Sequence, residues 1–126
     1  MTKKGNPMFK SIDHVAVHCS DLEKSTAFYR DVMGFEPWVG HDARIQFFKV
    51  GTTLLELSMK QPAQVMSGLH FCLNTDDVSA AVETLRAQGV EVVLEPKPTT
   101  PREPSEESFL RAIVKGPDGE LIEIRG

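Results

Sequence analysis

Four polar side chains interrupt apolar runs of this 126-residue chain. His14 leads Val15-Ala16-Val17, and Glu56 stands between Leu55 and Leu57. His70 leads Phe71-Cys72-Leu73, and Glu123 stands between Ile122 and Ile124. The order is histidine then glutamate, twice, at spacings of 42 and 53 residues. Two imidazoles and two carboxylates suit a borderline divalent ion such as Zn²⁺, Ni²⁺, Fe²⁺ or Mn²⁺. An isolated carboxylate taken out of water is costly, and a cation would stabilise two of them. An ion with open positions polarises a carbonyl, and a glutamate that leaves it can act as a base. Singly, a strand glutamate is most often a solvent-facing member of an alternating pattern, and a strand histidine a hydrogen-bonded spectator. The repetition at equivalent places raises the set of four above that reading.

The elements that must position these groups also repeat. Residues 12–19 alternate as a strand. Ser20-Asp21-Leu22-Glu23 reads as a capping box for a helix over 21–33, ended by Gly34 as a left-handed cap. Strands are expected at 35–39, with Pro37 marking an edge, and at 44–50 and 53–59. The second unit starts with a strand over 68–74 and a helix over 77–88, whose buried stripe is Val78, Ala81, Val82 and Leu85. Strands follow at 90–94, 109–114 and 121–124. Residues 95–108, rich in proline and charge, read as a mobile loop. Residues 1–10 read as a flexible arm and 60–67 as a linker. Residues 11–126 are expected to form one domain of two βαβββ units, 11–59 and 68–126, of the α+β class.

Composition bounds the function. A formal net charge of −4 argues against nucleic acid and anionic membranes as partners. No apolar run reaches the length of a membrane span. Met1 to Pro7 lacks the apolar stretch of a signal peptide. Cys19 and Cys72 are too few for a disulfide framework, so the expected location is the cytoplasm.

Three segments carry a resemblance: Asp13-His14-Val15-Ala16-Val17, Phe28-Tyr29-Arg30-Asp31-Val32-Met33-Gly34-Phe35, and Gly116-Pro117-Asp118-Gly119-Glu120-Leu121-Ile122-Glu123-Ile124. The chain resembles the vicinal oxygen chelate superfamily, which includes glyoxalase I, methylmalonyl-CoA epimerase, fosfomycin-resistance thiol transferases, extradiol dioxygenases and bleomycin-resistance proteins. The resemblance implies paired βαβββ modules forming a half-open barrel (the glyoxalase-like fold), completed in a homodimer. It puts His14, Glu56, His70 and Glu123 on the four metal-ligand positions. The epimerase usually carries glutamine at the Glu56 position; a carboxylate there resembles glyoxalase I, whose metal is Ni²⁺ or Zn²⁺.

The implied function is therefore a metal-dependent, glyoxalase I-like lyase or isomerase. It would act on a small α-oxo substrate or a hemithioacetal such as a glutathione conjugate, through a metal-stabilised enediolate. In that scheme Glu123 is the proton shuttle and Glu56 its counterpart. His18 and Lys60 replace the arginine and asparagine that hold glutathione in compact bacterial glyoxalases. Ser58, Arg111 and Arg125 are further substrate-binding candidates. The alternatives are an epimerase or extradiol dioxygenase on the same framework, or a metal-free module that sequesters a small molecule.

Overall fold

The computed structural model describes residues 8, 10–41, 43–59 and 70–126. The linker expected at 60–67, with Lys60, lies outside the described residues, as does most of the 1–10 arm. The first half runs β1 (His14–Cys19), α1 (Leu22–Ala27, widening into a π-helical turn over Phe28–Val32), β2 (Glu36–His41), β3 (Ile45–Val50) and β4 (Thr53–Met59). The second half runs β5 (His70–Asn74), α2 (Val78–Ala87), β6 (Val92–Pro98), β7 (Leu110–Lys115) and β8 (Leu121–Arg125). Each half folds into a four-stranded sheet, in the orders β1-β4-β3-β2 and β5-β8-β7-β6. The first strand of each half pairs parallel with the last, and the other pairings are antiparallel.

Period two decides which side chains go inside. Val17 and Cys19 of β1, Phe48 of β3, and Leu55 and Leu57 of β4 turn to the helical side and are buried. Ala112 and Val114 of β7, with Ile122 and Ile124 of β8, do the same against α2, which contributes Val78, Val82 and Leu85. Tyr29 stacks on Phe35 with ring centroids 5.6 Å apart and lies 6.2 Å from Phe48. The opposite faces, which carry the histidines and glutamates, are open.

Several local expectations need correction. The N-cap of α1 is Asp21, whose Oδ1 accepts from the Lys24 amide at 3.1 Å. The helix starts one residue later than Ser20 would cap, and the Ser20 amide donates to Asp118 Oδ1 from the other half, at 3.0 Å. Ala81 is only partly buried on α2. Strand β6 continues to Pro98, into the run expected to be loop. Proline is tolerated there because β6 is an edge strand whose register shifts along its length. Gly34 ends the first helix at φ +75°, as expected of a left-handed cap. Asp77 caps α2 by accepting from the Ala80 amide at 3.0 Å. Asp77→Ala is expected to cost about 1 kcal/mol, read as a lower urea midpoint with an unchanged slope.

The halves meet where α1 touches the β7–β8 turn. Glu120, fully buried, accepts from the Tyr29 hydroxyl at 2.8 Å through Oε2 and from the Asp118 amide at 2.8 Å through Oε1. Burial and this carboxylate push the Tyr29 hydroxyl well above the usual phenol range, so it stays a donor. Asp118 also accepts from the Ser25 hydroxyl at 3.4 Å. Gly116 admits the carboxylate: a Cβ there would lie 2.3 Å from Glu120 Cδ.

Candidate functional site

The two halves place their polar pairs in one register. In the first, Ala16 of β1 stands beside Glu56 of β4. In the second, Cys72 of β5 stands beside Glu123 of β8. Each histidine lies two residues before that partner, on the same face, so it is the diagonal neighbour of its glutamate, within reach of a long side chain. His14 Nε2 is 3.6 Å from Glu56 Oε1, and His70 Nε2 is 3.8 Å from Glu123 Oε1. His14 Nδ1 is 2.9 Å from Asp13 Oδ2. A proton on Nδ1 toward Asp13 would leave Nε2 as the lone-pair donor facing Glu56.

Among the described residues no three histidine, cysteine, aspartate or glutamate side chains form a group that could hold a metal ion. Each half thus presents two donors on its own open face. The imidazoles are 42% and 62% exposed, whereas the carboxylates are 19% and 13% exposed. Such a half-site can accept further ligands from another surface. Neutral nitrogen and anionic oxygen donors fit a borderline divalent ion.

The surroundings of the pairs differ. His14 meets the edge of Phe47, with ring centroids 6.1 Å apart. Ser58, two residues beyond Glu56, is largely buried and pairs in register with His18 and Ile45. In the second half a cleft of about 930 Å³ is lined by His70, Cys72, Asn74, Arg102, Phe109, Glu123 and Arg125, among others. Arg111 Nε donates to Glu123 Oε2 at 3.3 Å, and Arg125 Nε lies 3.3 Å from the same oxygen. The Arg125 guanidinium stacks 4.4 Å above the Phe109 ring. Arg102, from the segment read as loop, was not singled out by its sequence context; only the fold brings it to this wall.

The thiols also differ. Cys19 is buried behind β1, and burial together with Asp118 pushes it up to about 11. Cys72 is exposed in the cleft, and burial of its sulfur also raises it. At about pH 8, iodoacetamide is expected to label Cys72 slowly and to reach Cys19 only after unfolding, as read by mass spectrometry.

The sequence profile of the Glyoxalase/Bleomycin resistance protein/Dioxygenase superfamily matches residues 11–124. The chain belongs to this superfamily. It is 30% identical to mouse mitochondrial methylmalonyl-CoA epimerase over 70% of this chain and 60% of that protein. It is 28% identical to a lactoylglutathione lyase of Arabidopsis thaliana over 97% of this chain and 45% of that one. The chain thus spans about half the length of these curated relatives. A lactoylglutathione lyase from Agrobacterium tumefaciens superposes with a TM-score of 0.70 at 26% identity, covering 91% of this chain and 92% of that one. The paired βαβββ sheets are those of the superfamily's half-open barrel. No helix among the described residues is long and apolar enough to cross a membrane.

Proposed function

We propose that this superfamily member is a metal-dependent lyase or isomerase of the glyoxalase I kind, acting on a small α-oxo compound or its thiol adduct. The observation that carries the reading is the shared register of the His14–Glu56 and His70–Glu123 pairs. Together they would hold one divalent ion, Ni²⁺ or Zn²⁺ in preference to Fe²⁺ or Mn²⁺. When bound, such an ion supplies Lewis-acid polarisation of a substrate carbonyl.

The chain's own residues would move the proton. Glu56 and Glu123 stand on opposing halves, so one can take a proton from carbon while the other holds the site together. Glu123 is restrained by Arg111 and Arg125, whereas among the described residues Glu56 pairs with His14 alone. That asymmetry favours Glu56 as the carboxylate free to swing and Glu123 as the fixed one, the reverse of the order implied by resemblance. His18, Ser58 and Lys60 remain candidates for contacts to the thiol portion, glutathione included.

The half-sites support a homodimer, in which the first unit of one chain faces the second unit of its partner. Two free cysteines suit a reducing cytoplasm. A second reading, an epimerase, is favoured by the similarity to methylmalonyl-CoA epimerase and by the two arginines beside Glu123.

The test separates the readings. Protein loaded with Ni²⁺ or Zn²⁺ is assayed with methylglyoxal and glutathione, and with a methylmalonyl thioester in D₂O. The expected result is metal-dependent turnover of the hemithioacetal. Deuterium uptake by the thioester alone would favour the epimerase. Lack of metal affinity would leave a small-molecule binding module.

A further inference from the structure

The two halves share a backbone but not the side chains around their glutamates. In the first, Glu56 stands opposite Phe47 and Ser58 opposite Ile45. In the second, Glu123 stands opposite Ile113 and Arg125 opposite Arg111. The positions held by a hydroxyl and an alkyl group in one half thus carry two guanidinia in the other. We infer that Arg125, which lines the second-half cleft, and Arg111, which meets it at Glu123 Oε2, form a carboxylate-binding subsite at that cleft. They would anchor an acid group of the substrate next to the His70–Glu123 pair.

The geometry supports a built site. The Arg125 side chain is only 15% exposed. Its Nε is buried and makes no hydrogen bond among the described residues, although Glu123 Oε2 lies 3.3 Å away. Phe109 braces the guanidinium plane at 4.4 Å, which fixes the fork of donors at little entropic cost. Each guanidinium carries five N–H donors, and the contacts with Glu123 involve Nε alone. Two cations around one carboxylate oxygen leave an excess positive charge that a second carboxylate would neutralise. Arg102, Glu107 and Glu123 also line the cleft, so with Arg125 and the adjoining Arg111 a single excess positive charge is left, which favours a singly charged carboxylate over a doubly charged phosphonate.

The substrate assignment rests on the proposed reaction at the same site, but the subsite can be tested without it. Full-length protein stripped over a chelating resin is titrated calorimetrically with acetate, methylphosphonate and neutral acetamide, at a pH where methylphosphonate is doubly charged. Acetate is expected to bind, and acetamide not. Arg125→Met and Arg111→Met should each weaken acetate binding by about tenfold. Glu123→Gln should tighten it severalfold by removing the internal competitor, a gain that misfolding cannot mimic. Undetectable acetate binding in both wild type and Glu123→Gln, or binding unchanged by both arginine substitutions, would overturn the subsite. Tighter binding of methylphosphonate than of acetate would overturn its carboxylate preference. Failure of the metal reading would leave all these titrations unchanged, because none includes a metal.

Discussion

Glu56→Gln is expected to lower the proposed metal-dependent turnover by about 10²–10⁴-fold, the range lost when a general acid–base group is removed. The substitution keeps the shape and removes the charge, so the fold at Leu55 and Leu57 is untouched. Glu123→Gln is expected to act through the metal at least as much as through the proton. Its two oxygens face different partners, with Oε1 toward His70 and Oε2 toward the arginines. The amide can serve only one of those directions well. Metal affinity should therefore fall more in Glu123→Gln, whereas turnover at saturating metal should fall more in Glu56→Gln. Steady-state rates measured across a metal titration separate the two. Equal losses in both parameters for both variants would count against the assigned asymmetry.

The largest effect on stability is expected at the joint between halves. Glu120→Leu leaves the Tyr29 hydroxyl and the Asp118 amide buried without their acceptor, at about 1–3 kcal/mol for each orphaned donor. Gly116→Ala attacks the same joint by sterics, since its Cβ would sit 2.3 Å from Glu120 Cδ and 2.6 Å from both carboxylate oxygens. The carboxylate cannot retreat without giving up Tyr29, so a loss of about 1–3 kcal/mol is expected. Tyr29→Phe removes one donor and should cost less than Glu120→Leu. Denaturation followed by circular dichroism reads all three. A midpoint for Glu120→Leu within error of wild type would show that the joint carries no stability.

Much of this architecture is legible in the sequence because it is local. The strands around His14, Glu56, His70 and Glu123 follow from two-residue alternation, and the second helix from its apolar stripe and the Asp77 cap. Features set by distant partners are not legible. Ser20 looks like a cap, yet its amide is taken by Asp118, 98 residues away, and Asp21 caps instead. Glu120 reads as the residue after a turn, although it is the buried centre of the contact between halves. Strand β6 runs into Pro96 and Pro98 because edge strands need no donor on the outer side, a fact of sheet order rather than of composition. The arginine pair emerges from register alone, since residues 111 and 125 become neighbours only once β7 pairs with β8.

In the proposed dimer one metal centre is assembled from two His–Glu pairs contributed by different chains. The most direct test is co-expression of Glu56→Gln and Glu123→Gln chains, with bound Ni²⁺ or Zn²⁺ measured on the purified mixture. Each variant alone should hold less metal than wild type, Glu123→Gln the least, and should turn over little substrate. In a mixed dimer one site receives both substitutions and the other receives neither. With random pairing, about one quarter of all sites regain wild-type composition, and turnover should recover to the same fraction. Metal content and turnover no higher than in the separate variants, beside a wild type that binds about one ion per chain, would contradict the shared centre.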